Sequence, residues 1–425
     1  MKIAILSDFH FGFAYNSELE NDSFENAEEA VQRALDSDII LLAGDIFDSR
    51  LPRTGIWASA IKVLVKPLLK ENTGVKLVQS SKQLKEISKR TLNHLPVVSL
   101  HGTHERRSKG ETNAVETLEN AGLLIHLHCQ SIVFEKNGIK VAIHGMSGVP
   151  ERFAKDVLYQ WGPKPIEGCF NILMLHQSIE PFIYSPLDPP TLNLSNLPKG
   201  FDLIVDGHLH LAGQEKANNT LILFPGSTIT TQLGQNESEA EKGFYQVEFD
   251  KELKINFIPL KGNRKFFYDE IKIEAGLLRD QVESKINGIL NQNFSKKPII
   301  KLRISGDETE VLNQELRDIE RKYSGQAIIN FAKELDTPGI AKKIEFLRNL
   351  REQNLSVEEI GSQILKKSLE ELKFDSGFDF EQAFNLLSDS QTERFFNILI
   401  GDQGTLNNVL KKGSEKRVGL ENWSK

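Results

Sequence analysis

Five groups of residues in the first half of the chain have types and spacing suited to holding metal ions. They are Asp8-Phe9-His10, Gly44-Asp45, Gly102-Thr103-His104-Glu105, His176 and Gly207-His208-Leu209-His210. Aspartate oxygen combined with imidazole nitrogen suits Mn²⁺, Fe or Zn²⁺, and the lack of thiolate argues against a structural zinc site. Asp8 and His10 are alternate residues of an extended segment, so their side chains point the same way. The set Asp8, His10, Asp45, His104, His176, His208 and His210 is too large for one ion. Two ions about 3.5–4 Å apart can activate water and clamp both oxygens of an in-line displacement at phosphorus, which makes phosphoester hydrolysis the expected reaction. All ten histidines fall between His10 and His210. Imidazole is the commonest transition-metal ligand and general acid or base, so the chemistry is expected in that half.

The elements that must position these residues are short apolar runs. Residues 3–6, 39–42, 97–100, 172–175 and 203–205 each precede one ligand group, and 141–143 and 221–224 are runs of the same kind. Continuous apolar runs of this length predict strands buried on both faces. Helical segments at 27–35 and 57–70 lie between them, an α/β pattern with a layered sheet core. Ligands at strand ends fit the crevice where loops of such sheets converge. Segments 243–249 and 254–260 alternate and predict an antiparallel closing pair. A second unit begins near Lys265, with a strand at 298–305, a helix at 308–322 and a strand at 326–331. From Asp336 the pattern is helical. Thr337-Pro338 is an N-cap followed by proline, Ser356 and Glu359 form a capping box, and Phe380, Phe384, Leu387, Phe395, Phe396 and Leu399 suggest a further helical pair.

Composition limits the partners. At 425 residues, 39% hydrophobic and 26% charged, the chain has the size of two or three soluble domains. A net charge of −7 argues against a surface coated in basic residues for nucleic acid. It leaves room for a local basic path, and Arg106, Arg107 and Lys109, close after His104, are candidate phosphate contacts. Cys129 and Cys169 are far apart, so no disulfide framework is expected and a reducing cytoplasm fits. The apolar start is too short for a signal-peptide core, and no 18-residue apolar run predicts a membrane span.

The ordered set D-x-H, GD, G-x-H-E, H and GHxH resembles the calcineurin-like metallophosphoesterase superfamily. Asp8-x-His10-x-Gly12, Gly44-Asp45-Ile46-Phe47-Asp48 and Gly207-His208-Leu209-His210 are especially similar to the double-strand-break repair nuclease family called meiotic recombination eleven, SbcD in bacteria. The resemblance implies a layered αββα sandwich over 1–264, a small α/β capping domain that contacts DNA over 265–335, and a helical ATPase-binding segment over 336–425. It implies that Asp8, His10 and His210 hold one metal, His176 and His208 the other, and that Asp45 bridges them. His104 then stands beside the metals to stabilise the transition state and protonate the leaving sugar oxygen. Thr103 occupies the place of a family asparagine that completes the second metal, and its hydroxyl is shorter and a poorer donor. The implied reaction is Mn²⁺-dependent exo- or endonucleolytic cleavage of DNA, coordinated by an SMC-like coiled-coil ABC ATPase. Also implied are a homodimer through the apolar helix near 57–69 and, in a prokaryote, a place on the nucleoid. Two other readings stay open: a phosphoesterase of smaller substrates, and a DNA-end-binding scaffold that cuts poorly because of Thr103.

Overall fold

Successive side chains of a strand point to opposite faces, and in strand Lys2–Leu6 both faces are apolar. Ile3 and Ile5 look one way, Ala4 and Leu6 the other, and all four are fully buried. Such a strand is stable only between two layers. It lies inside a six-stranded sheet ordered Leu253–Pro259, Gly243–Phe249, Lys2–Leu6, Ile39–Leu42, Val97–Ser99, Ile125–His126. The last four run parallel, and the first two form the expected antiparallel pair at the edge. A seven-stranded sheet is ordered Gly213–Ala217, Thr220–Phe224, Leu203–Asp206, Phe170–Leu175, Ile139–Met146, Gln130–Lys136, Lys76–Ser80. The computed structural model describes residues 1–335 apart from 108–109, 184–191, 218–219, 251–252, 274–276 and 307–312, together with residues 361, 363, 364, 366 and 367.

The two sheets face each other across one core. Ile3, Ile5, Leu41 and Val98 meet Phe134, Ile143, Ile172, Met174 and Val205 there. On the outer face of the six-stranded sheet, Ala4, Leu6, Ile40 and Leu42 pack on Ala27, Ala30 and Val31 of helix Asp22–Ala34, on Ile56 and Ala60 of helix Thr54–Leu64, and on Val115 and Leu118 of helix Ala114–Asn120. On the outer face of the other sheet, Leu173, Leu175, Ile204 and Phe224 receive Ala154 and Leu158 of helix Ala154–Trp161. The result is a four-layer αββα sandwich. The predicted helix 57–70 instead starts at Thr54 and stops at Leu64, giving way to a 3-10 turn, Lys66–Leu69, with Pro67 in its first turn. A proline in a helix interior lacks the N–H its turn needs and clashes with the preceding carbonyl.

Met1–Asp336 forms one compact unit and Thr337–Lys425 a second. Within the first, the part after Lys265 is a βαβαβ arrangement: Phe266–Lys272, Leu278–Leu290, Ile299–Gly306, Asn313–Tyr323 and Ile328–Leu335. Its three strands are parallel in that order, and Ile300, Leu302 and Ile304 pack on Val282, Ile286, Leu316 and Ile319. The first strand and helix of this set were not legible, because Phe266–Lys272 mixes aromatic and charged residues without a continuous apolar run. Arg264 ties the unit to the helix Asp22–Ala34: Nε lies 2.6 Å and Nη2 3.0 Å from the Asp22 carboxylate, and Nη1 donates to the Lys297 carbonyl at 2.7 Å. The helix start at Thr337-Pro338, the Ser356–Glu359 capping box and the phenylalanine pattern of 380–396 lie outside the described residues.

Ile143 sits fully buried between the sheets. Ile143→Ala is expected to lower stability by about 2–5 kcal/mol, the usual cost of a truncated core side chain and its cavity. Urea unfolding followed by circular dichroism measures it; a change below about 1 kcal/mol would mean the sheets close over the gap.

Candidate metal centre

Every candidate ligand group sits beyond the C-terminal end of a parallel strand. Asp8, Asp45 and His104 follow strands of the six-stranded sheet, while His176, His208 and His210 follow strands of the seven-stranded one. The site therefore lies where the open ends of both sheets meet. The first two loops are zipped together beyond the sheet: Asp8 N donates to Gly44 O at 3.0 Å and His10 N to Asp45 O at 3.0 Å. The third loop docks on the second through Asp45, whose Oδ1 accepts from His104 N at 2.9 Å and whose Oδ2 accepts from the Thr103 hydroxyl at 3.1 Å. Fully buried Glu105 braces the same two loops, accepting from Phe47 N at 2.7 Å and Gly102 N at 2.6 Å.

This convergence bends the backbone into a region L-residues rarely adopt. Asp8 (φ 53°), His10 (φ 47°), Asp45 (φ 48°) and His208 (φ 72°) all lie in the left-handed region. Such residues persist only where surrounding structure enforces them, at about 1–3 kcal/mol each, and they gather at functional sites. Gly207 is demanded by space. A Cβ there would run into the Ala43 carbonyl oxygen, His176 Nδ1 and Ser7 Oγ.

The side chains converge in three overlapping clusters: Asp8, His10 and His210; His10, Asp45 and His104; and Asp45, His176 and His208. In each, one ligand atom per residue lies within 4.8 Å of the others. His10 Nε2 and His210 Nε2 face each other at 3.0 Å, and Asp8 Oδ1 is 3.6 and 3.5 Å from them. His176 Nε2 lies 3.2 Å from Asp45 Oδ2. The ring orientations are set from outside. His176 Nδ1 donates to the Ala43 carbonyl at 2.6 Å and His104 Nδ1 to the Asp48 carbonyl at 2.9 Å, while His210 Nδ1 pairs with the Thr231 hydroxyl at 2.5 Å. Bonds of this kind at the far nitrogen are how metal-binding imidazoles are held in place.

Electrostatics separates the imidazoles. Burial works against charge on His10, but the Asp48 and Asp8 carboxylates overcome it and raise its pKa to about 10. His176, equally buried, is raised to about 10 by Asp45 and Asp8. Burial lowers His208 to about 4 and also lowers His210. Asp8 and Asp45 stay well below the usual carboxylate range despite burial, because the imidazoles favour their charged forms. Asp8 Oδ1 is buried and makes no hydrogen bond to the protein, and buried His176 Nε2 faces the Asp45 carboxylate at 3.2 Å. Buried polar atoms are normally satisfied; an unsatisfied carboxylate oxygen among converging acids and imidazoles fits a divalent cation.

Other histidines stay outside this cluster. His144 faces Asn171 at 3.3 Å and stacks edge-on against Phe201, and His101 and His126 pair with each other at 2.9 Å. Arg106 Nη2 reaches Glu151 at 3.4 Å and Arg107 Nη2 reaches Glu111 at 3.1 Å, while one further guanidinium nitrogen of each is buried without a hydrogen bond. Lys109 lies outside the described residues. Sequence reasoning missed Thr231 and Ala43, the groups that orient His210 and His176. No local pattern marks a residue whose function is to meet an imidazole from a distant loop.

A four-layer sandwich with Asp and His side chains converging at the ends of both sheets defines a metallophosphoesterase. Residues 1–212 match the calcineurin-like phosphoesterase family, and the chain belongs to it. Over most of its length the chain is also similar to curated double-strand-break repair proteins. It is 25% identical to the "DNA double-strand break repair protein Mre11" of Methanopyrus kandleri, over 83% of this chain and 84% of that protein. Identity to the Sulfolobus acidocaldarius protein of the same name is 26%, over 76% of this chain and 81% of the relative. The "Double-strand break repair protein MRE11" of Arabidopsis thaliana is 23% identical over 87% of this chain, which spans 59% of that longer protein. Among the described residues no helix is long and apolar enough to cross a membrane.

Gly207→Ala is expected to displace His176 and to shrink the rise in melting temperature that Mn²⁺ produces in the parent protein. Differential scanning fluorimetry with and without Mn²⁺ reads this directly. An undiminished rise would show that the loop absorbs the extra methyl without moving the imidazole.

Proposed function

We propose that this protein is a divalent-metal-dependent DNA phosphodiesterase, an exo- or endonuclease acting in double-strand-break repair. The observation that supports this most is the pair of ligand clusters, Asp8–His10–His210 and Asp45–His176–His208, side by side at the open ends of both sheets. The repair proteins named above extend past the phosphoesterase domain and match 76–87% of this chain. A phosphoesterase of smaller substrates has no need of the additional βαβαβ unit.

In this reading Asp8, His10 and His210 would hold one ion and His176 and His208 the other, with Asp45 available to each. When bound, the two cations, which we take to be Mn²⁺, supply positive charge to the phosphoryl oxygens and a nucleophile from water. The protein's own groups do the rest. His104, with its side chain 40% exposed, stands at the mouth of the site; Asp48 holds its Nδ1, leaving Nε2 facing inward 3.9 Å from Asp45. That placement suits a group that steadies the phosphate and passes a proton to the leaving sugar oxygen. Thr103 keeps the ligand place assigned above, with its hydroxyl on Asp45 as the nearest alternative use. Arg106, Arg107 and Lys109 follow in the chain and are assigned to backbone phosphates.

The division into a catalytic part over 1–264, a capping domain over 265–335 and an ATPase-binding segment over 336–425 belongs to the same proposal. So does a homodimer through helix Thr54–Leu64 and the turn after it, where Ile61 and Leu69 are exposed. The partner proposed for 336–425 is an SMC-like coiled-coil ABC ATPase. Its anchors are Ile340, Ile344, Leu347, Ile360, Phe384, Phe395 and Phe396, all outside the described residues, and Ile364, which is 39% exposed. Apolar stripes of this kind bind in grooves of partner proteins.

Plasmid and hairpin cleavage should stop with a chelator and return best with Mn²⁺. Asp45→Ala or His208→Ala should remove the activity, whereas His104→Ala should keep metal content and slow cleavage by about 10²–10⁴-fold. Loss of metal from the His104 variant would contradict its role. A chain ending at Leu335 should fold, bind metal and cut short substrates, yet fail to co-purify with the ATPase. Retained co-purification would place the partner's contact elsewhere.

A further inference from the structure

His210 is held from two sides by a loop that carries no sheet or helix hydrogen bonds of its own. Thr231 Oγ1 meets its ring at Nδ1, and Ser227 N donates to its backbone carbonyl at 3.2 Å. The loop takes its shape from Glu237, only 6% exposed, which accepts from Thr231 N at 3.3 Å, Gln232 N at 2.7 Å and Leu233 N at 3.0 Å. Lys242, 2% exposed, closes the arrangement. Its ammonium has three protons to donate and three acceptors: Glu237 Oε1 at 2.8 Å, Ser227 Oγ at 2.9 Å and the His210 carbonyl at 3.0 Å. The far side of the loop meets the βαβαβ unit, where Lys301 Nζ donates to the Leu233 carbonyl at 2.9 Å. Hydrogen bonds therefore run without a break from Lys301 through Leu233, Glu237 and Lys242 to His210.

A buried ion pair contributes little net stability, because desolvation offsets the attraction, and well-packed apolar residues often serve as well. Geometry is what this pair supplies that apolar residues would not. We propose that Glu237 and Lys242 are positioning residues for His210, and that they pass the placement of Lys301 to the Asp8–His10–His210 cluster. The proposal rests on the metal-centre reading above. It makes the two ion sites unequal: the one built on His210 responds to the βαβαβ unit, and the one built on His176 and His208 does not.

Calorimetric titration of the full chain with Mn²⁺ tests this, with His210→Ala and His208→Ala identifying the two sites. The double variant Lys242→Met, Glu237→Gln removes both charges together, so neither is left buried alone. It should weaken the His210 site by about 10–100-fold, the usual effect of losing an outer partner of a ligand, and leave the other site unchanged. Lys301→Met, on a partly exposed side chain, should shift the same site in the same direction by a smaller factor. If the double variant does not fold, Lys301→Met alone carries the test. Equal weakening of both sites, or no change at either, would overturn the positioning role in favour of a general packing one. A parent protein that takes up no Mn²⁺ would instead overturn the metal-centre reading itself.

Discussion

The structure of the site depends on one buried carboxylate. Asp45 is 1% exposed, and an ionised carboxylate out of water is costly unless partners surround it. Its partners come from loops that share no local sequence: the backbone and hydroxyl of the His104 loop on one side, His176 from the opposite sheet on the other. Satisfying Asp45 therefore brings the ends of both sheets together. With Asp45 in place, Asp8 and His10 are carried in by the backbone pairing of the first two loops.

The sandwich supplies the rigidity this arrangement needs. Ile3, Ile5, Leu41 and Val98 are locked against Phe134, Ile143 and Met174, so the strand ends keep a fixed separation. The loops beyond can then hold Asp8, His10, Asp45 and His208 with left-handed backbone, at a cost the packed core offsets. The same rigidity keeps mutually repelling groups in place. His10 and His176 are held charged by carboxylates, while burial keeps His208 and His210 neutral.

Around the ligands lies a layer of orienting groups unequal in origin. Ala43 orients His176 through the backbone at a strand end of the facing sheet. His210 depends on Thr231, Glu237 and Lys242, and through Leu233 on the βαβαβ unit. One half of the site is thus built into the sandwich, and the other leans on a loop that the βαβαβ arrangement touches.

Much of this was legible from residues alone, for a physical reason. A strand buried on both faces must be continuously apolar, so 3–6, 39–42 and 172–175 announce themselves, and the polar residues within three positions of each run's end mark a strand end. Residue type and position just after an apolar run are local properties, which is why Asp8, Asp45, His104, His176 and His208 could be singled out together. Helix Ala154–Trp161, strand Phe266–Lys272 and the break at Pro67 were less clear or missed, because half-exposed elements mix polar and apolar residues. Only the tertiary structure decided that the ligands come from two sheets facing each other, that Asp45 joins them, and that Lys242 reaches His210. Those facts are distances between residues far apart in the chain, set by how two buried sheets pack, and no spacing along one strand contains them.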